Sequence, residues 1–212
     1  MSWHPRLPQE IEAESFRRLA AEAGDHGLPP PLWSVVRRVL HTTADFDYLK
    51  NVRFHPQAVA AGVAALRQGL PVAVDTRMLQ AGISTGRLDR LGVKTLCLMD
   101  DPEVARLARQ QGTTRAAVAL EKALPAVVGG IFAIGNAPTA LLRLLELLAA
   151  GAPPPALIIG VPVGFVHAAE AKAALLRQDC PYITALGRKG GSAVAAAIVN
   201  ALADLALKED HL

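Results

Sequence analysis

Short apolar runs alternate with stretches of helical periodicity along most of the chain. Near the start, Pro8 opens a segment in which Ile11, Phe16 and Leu19 share one helical face, and Gly24 closes it. Pro29, Pro30 and Pro31 form a stiff connection to a second helix over 32–43, with Leu32, Val36, Val39 and Leu40 as its apolar side. From Pro56 the pattern changes. Helices are predicted at 58–68, 102–111, from Thr113 or Thr114 to 124, and at 137–149, 166–176 and 192–207. Between them lie apolar runs at 71–75, 94–99, 130–134, 156–160 and 182–186.

Runs that are apolar at every position imply strands buried on both faces, and hence a parallel sheet between helical layers. The expected fold is a three-layer α/β/α sandwich with a mainly parallel five-stranded sheet, its crossovers right-handed. The 212 residues are read as one domain: a helical N-terminal segment over 1–55 and an α/β core over 56–212. In open sheets of this kind ligands bind beyond the carboxyl ends of the strands. That rule points to Asp75, Thr76 and Arg77; to Asp100 and Asp101; to Gly135, Asn136 and Thr139; to Gly160 through Gly164; and to Gly187 through Gly191.

Composition narrows the function classes. The net charge is +3, spread without a Lys/Arg block, so no nucleic-acid face is expected. A mild positive bias suits an anionic small molecule, and ordinary solubility charge suits it equally well. Cys97 and Cys180 form no CxxC pair and read as reduced thiols. Trp3, His4, Pro5 and Arg6 precede no apolar run of a secretory signal. The most apolar stretch, 123–148, is interrupted by Pro125, Gly129, Gly130, Gly135, Asn136 and Pro138, unlike a membrane span. A cytoplasmic protein without membrane association is expected.

Several sites carry candidate chemistry. Gly187-Arg-Lys-Gly-Gly-Ser192 joins a strand to a helix, where glycines permit close backbone approach and a helix start offers free N–H groups. It reads equally as a glycine-rich turn with two solvated charges. Asn136 is either the cap of its helix or a ligand contact. His41 has Arg37 and Arg38 one turn before it and Asp45 one turn after. An imidazole there can serve as acid and base near neutral pH, or can be a helix-end histidine packed on the core. His4, His26, His55, His167 and His211 show no metal-ligand spacing, and no GxGxxG or Walker loop is present, so neither a metal nor a nucleotide cofactor is expected.

Taken together, Glu14-Ser-Phe16, Arg38-Val-Leu-His-Thr-Thr-Ala-Asp-Phe46, Val74-Asp75 with Met78 and Gly82, and Thr114-Arg-Ala-Ala117 resemble the precorrin-8X methylmutase family. The resemblance continues through Ala133-Ile-Gly-Asn-Ala-Pro-Thr-Ala-Leu141, Gly160-Val-Pro-Val-Gly-Phe165 with Glu170, and the Gly187–Ser192 loop. It implies a homodimer that moves a methyl group from C11 to C12 of a corrin precursor, without a cofactor. His41 matches the family's catalytic histidine, and Ser15 and Arg38 its substrate contacts. The His-Thr-Thr-Ala-Asp-Phe run looks closer to the branch acting on cobalt-precorrin-8. From position alone, Arg77, Arg115, Asn136, Arg188 and the Gly190–Gly191 backbone are expected to hold the substrate's carboxylates. A non-catalytic tetrapyrrole carrier is the alternative.

Overall fold

The computed structural model describes residues 7–208; the signal reading of Trp3–Arg6 and the readings of His4 and His211 concern residues outside it. The chain begins with α1 (Pro8–Ala23), α2 (Pro30–Thr43) and α3 (Asp47–Asn51). The core then runs β1 (Val52–Phe54), α4 (Ala58–Arg67), β2 (Val72–Val74), α5 (Arg77–Gly82), α6 (Thr85–Arg90) and β3 (Thr95–Leu96). It continues α7 (Pro102–Gln111), α8 (Arg115–Ala123), β4 (Ile131–Ile134), α9 (Pro138–Ala149), β5 (Leu157–Gly160), α10 (Ala168–Leu175), β6 (Tyr182–Ala185) and α11 (Ser192–Leu207).

The sheet has six strands in the order β1-β6-β5-β4-β2-β3, not the five expected. The five predicted strands pair in parallel; the added β1 pairs antiparallel with β6, Arg53 opposite Thr184. β1 lies inside the stretch expected to be helical, and its three residues are too short to show a period. The strand expected over 94–99 contracts to Thr95–Leu96, and the helix expected from 166 starts at Ala168, after His167 in a left-handed conformation.

Side-chain alternation sorts each strand's residues between two helical layers. Val72, Val74, Ile131, Ala133, Leu157 and Ile159 face a layer that includes α2, α4 and α11. Ala73, Phe132, Ile134 and Ile158 face α8, α9 and α10. α11 is buried along nearly its whole length, as its near-continuous apolar sequence requires. It is covered by α2, α4, α5 and α6. α1 lies outermost, on α2, and Leu19 is its buried side chain.

Strand order reverses between β2 and β4, which places a crevice where the loops after these two strands diverge. The protein fills that crevice itself. Asp75, buried at 5 % exposure, accepts the backbone N–H groups of Gly135 (3.1 Å), Asn136 (2.7 Å) and Ala137 (2.7 Å) at the start of α9. Burial pushes its carboxyl above the usual range, while the three N–H donors pull the other way.

Candidate active site

The last turns of α2 and the middle of α1 build one polar cluster. Ser15 Oγ lies 2.8 Å from His41 Nδ1. The Phe16 ring packs at 4.9 Å from the imidazole, tilted by 47°. Arg37 and Arg38 both lie over Phe16, at 4.4 and 4.8 Å from its centroid. These contacts follow from helical spacing: positions 37, 38 and 41 are neighbours on α2, as 12, 15 and 16 are on α1. His41 is half-buried and borders an open depression of about 500 Å³ with Pro8, Gln9, Ile11 and Glu12. With Nδ1 held by Ser15, Nε2 is the nitrogen left for a ligand.

Arg38 is engaged on two sides. Its guanidinium donates to Glu12 of α1 and, at 3.0 Å, to Asp204 of α11. Arg87 of α6 closes on the same Asp204. The Arg38 hydrogen bond holds the Glu12 carboxyl below its usual value. Arg37 has its Nε buried and without a hydrogen-bond partner. Arg38 thus ties α1 and α11 to α2, and only a substrate group that competes with Glu12 or Asp204 could take it.

Asp45, read as a neighbour of His41, points elsewhere. Lys189 Nζ donates to Asp45 and Asp47, each at 2.6 Å, and lowers the Asp45 carboxyl. This clamp joins the end of α2 to the loop between β6 and α11. His41 therefore stands on the outer helical layer, one turn from that junction, and not at a strand end.

The remaining expected contacts are spread over the sheet's carboxyl edge. Arg77 is bound to Asp100 at 2.6 Å and to Gln80 at 2.7 Å. Asn136 is exposed and is not the cap of α9, since Ala137 takes that position; its N–H is spent on Asp75. Arg115 is exposed at the start of α8, beside Thr114, whose hydroxyl meets that of Thr139 at 2.8 Å. Arg188 lies over the exposed Phe165 ring at 5.3 Å. The Gly191 N–H donates to the Val161 carbonyl at 2.9 Å and so is not free for a ligand. A Cβ on Gly190 would sit 2.1 Å from the same carbonyl, so only glycine allows the two loops to close. Among the described residues no hydrogen bond or ring contact joins Arg77, Arg115, Asn136 or Arg188 to the His41 cluster. Nor does any group of three or more His, Cys, Asp or Glu side chains there suit a metal ion.

Two groups in this region escaped sequence reading. Asp204 is the one charged residue of α11. Lys172 sits on the buried face of α10 at 1 % exposure. For Lys172 the legible signal was a charge at a position where the helical period demands an apolar side chain; for Asp204 it was a lone charge one turn after Asn200 on the partly exposed side of α11.

Comparison with known proteins gives a consistent result. The family model described as precorrin-8X methylmutase matches residues 10–205. A cobalt-precorrin-8 methylmutase of Priestia megaterium is 44% identical over 199 residues, covering 94% of this chain and 88% of that protein. A precorrin-8X methylmutase of Pseudomonas aeruginosa is 46% identical over 197 residues, covering 92% and 94%. The crystal structure of a precorrin-8X methylmutase from Thermus thermophilus superimposes with a TM-score of 0.86 at 46% identity, over 93% of this chain and 96% of that one.

Proposed function

Because this chain belongs to the precorrin-8X methylmutase family, we propose that its methyl-shifting isomerase activity in cobalamin biosynthesis is carried by His41, with Ser15 and Arg38 as its partners in the site. The observation that carries this reading is the Ser15–His41 hydrogen bond at the edge of an open depression. It fixes the ring and leaves Nε2 free for a ligand.

The chemistry asks little else of the protein. Moving a methyl group from C11 to C12 of a conjugated macrocycle is an internal rearrangement, so no group enters or leaves. With the Ser15 hydroxyl donating to Nδ1, the neutral imidazole carries its proton on Nε2. That proton passes to a ring nitrogen or adjacent carbon and draws π density toward the protonated atom, which eases the methyl shift in which the C11–methyl bond breaks as the C12–methyl bond forms; the proton returns to Nε2 afterwards. The substrate's carboxylates call for cationic and N–H donors. Arg115 and Arg188 offer guanidinium groups without an ion-pair partner among the described residues, whereas Arg77 and Arg38 must exchange one.

Relatives named for the cobalt-containing and the metal-free substrate match at nearly equal identity. The test is therefore the absorption change when the protein meets precorrin-8X or cobalt-precorrin-8. Conversion of at least one is expected, and the faster one defines the branch. An unchanged spectrum of both after prolonged incubation would favour a corrinoid carrier. We also propose a cytoplasmic homodimer folded as one domain over 1–212. Exposed Met78 in the first turn of α5 and exposed Val163, Phe165 and Val166 in the β5–α10 loop support the second copy. Among the described residues no helix is long and apolar enough to cross a membrane.

Ser15→Ala tests the tautomer argument. Loss of this one hydrogen bond is expected to lower kcat by about tenfold. Thermal stability should hardly change, since the pair is only part-buried. A kcat equal to that of the unaltered protein would remove Ser15 from the mechanism.

A further inference from the structure

Lys172 has no place in the mechanism above, yet its surroundings are unusual for a lysine. It lies on α10 at 1 % exposure, among Ala168, Ala171 and Leu175. Among the described residues its ammonium meets no carboxylate, and burial alone pulls it down to about 8. Its described hydrogen bond is to the Lys189 carbonyl, at 2.6 Å. A buried cation without a counter-charge is expensive, and an apolar side chain of the same length would pack there at lower cost.

The Lys189 carbonyl lies in the β6–α11 loop, and its neighbour is pinned too. The Arg188 carbonyl accepts the Gly164 N–H at 3.2 Å. In a trans peptide the N–H points opposite to the C=O of the same plane, and the described chain contains no cis bond. The Arg188 carbonyl points to the β5–α10 loop and the Lys189 carbonyl to α10, so the N–H groups of Lys189 and Gly190 point away from those partners. Neither N–H has a partner among the described residues. Two adjacent N–H groups without partners are a donor pair suited to an anion.

We propose that Lys172 is a positioning residue for substrate binding: by holding the Lys189 carbonyl from beneath, it presents the Lys189 and Gly190 N–H groups as a paired donor for one carboxylate of the corrinoid. The inference rests on the corrinoid reading of the site but not on the role of His41. It also explains why a lysine occupies a position where stability favours an apolar residue.

The experiment is Lys172→Met, with the affinity for metal-free hydrogenobyrinate followed by absorption titration. The dissociation constant and KM are expected to rise about tenfold or more, the effect of losing a hydrogen bond to a charged group. The kcat should change far less, and Tm should hold or rise as the buried charge disappears. A folded variant that binds the corrinoid as the unaltered protein does would overturn the proposal. So would a variant whose Tm falls while its KM stays unchanged, since that is the behaviour of a structural lysine. Should the variant fail to fold, the backbone 15N resonances of the unaltered protein decide. The Lys189 and Gly190 amides must shift on adding hydrogenobyrinate, and unmoved signals would refute the assignment. Because binding is read without turnover, an active His41→Ala enzyme would end the catalytic assignment and leave this result standing.

Discussion

His41→Ala is expected to lower turnover by about 10²–10⁴-fold, the range for loss of a positioned acid/base group. That corresponds to roughly 3–5 kcal/mol of barrier. The corrinoid should still bind, because the side chains expected to hold its carboxylates are on other residues and the imidazole borders only one side of the depression. Removing the ring also takes a contact from Phe16 and the acceptor of Ser15, both part-buried, so the fold should survive. The measurement is single-turnover absorption with excess enzyme, paired with product titration. Turnover at the rate of the unaltered protein would sink the assignment of His41. Loss of binding together with turnover would instead make it a binding residue.

The largest effect on stability is expected at Asp75. Its two carboxylate oxygens satisfy three consecutive backbone N–H groups where α9 begins. In Asp75→Ala these donors lose their partner in a place water reaches poorly, and each unsatisfied buried group costs about 1–3 kcal/mol. Even with partial relaxation, a loss of about 3–5 kcal/mol is expected, a large part of the roughly 5–15 kcal/mol that holds a domain folded. For a chain of this size Tm should fall by about 10 °C or more. Asp75→Asn should rescue only in part, because its amide oxygen can accept the Asn136 and Ala137 N–H groups while its NH2 faces the Gly135 N–H. Thermal unfolding within about 2 °C of the unaltered protein would show that another group caps α9.

Much of the architecture was written in local pattern. The apolar runs now seen as β4 and β5 are buried at every position, and so could be read as interior parallel strands without any partner in view. Thr114 is the cap of α8 because a hydroxyl at that spacing can accept the Ala117 N–H, a strictly local relation. What was not legible depended on residues far apart in the chain. β1 is a strand only because β6 lies beside it, some 130 residues later. Arg38 looked free for a substrate until Asp204, 166 positions away, proved to hold it. Asp75 looked like a ligand contact at a strand end. Its partners are the backbone N–H groups of a loop 60 residues on, and backbone donors leave no mark in a sequence. The helical pair Ser15 and His41 was recognised from motif resemblance, while their contact across α1 and α2 comes from packing alone.

The two outer strands of the sheet carry a consequence for handling the protein. Its interior strands, Ile131–Ile134 and Leu157–Gly160, are short, uncharged and rich in branched side chains, the composition that stacks into fibrils when an open border offers a template. The borders here are β1, three residues long with Arg53 exposed at its centre, and β3, two residues long. Neither is long enough for an incoming chain to find a register, and the arginine charge opposes lateral growth on one side. The native sheet is thus sealed against self-association along its hydrogen-bonding direction, and aggregation would require the interior strands to be uncovered first.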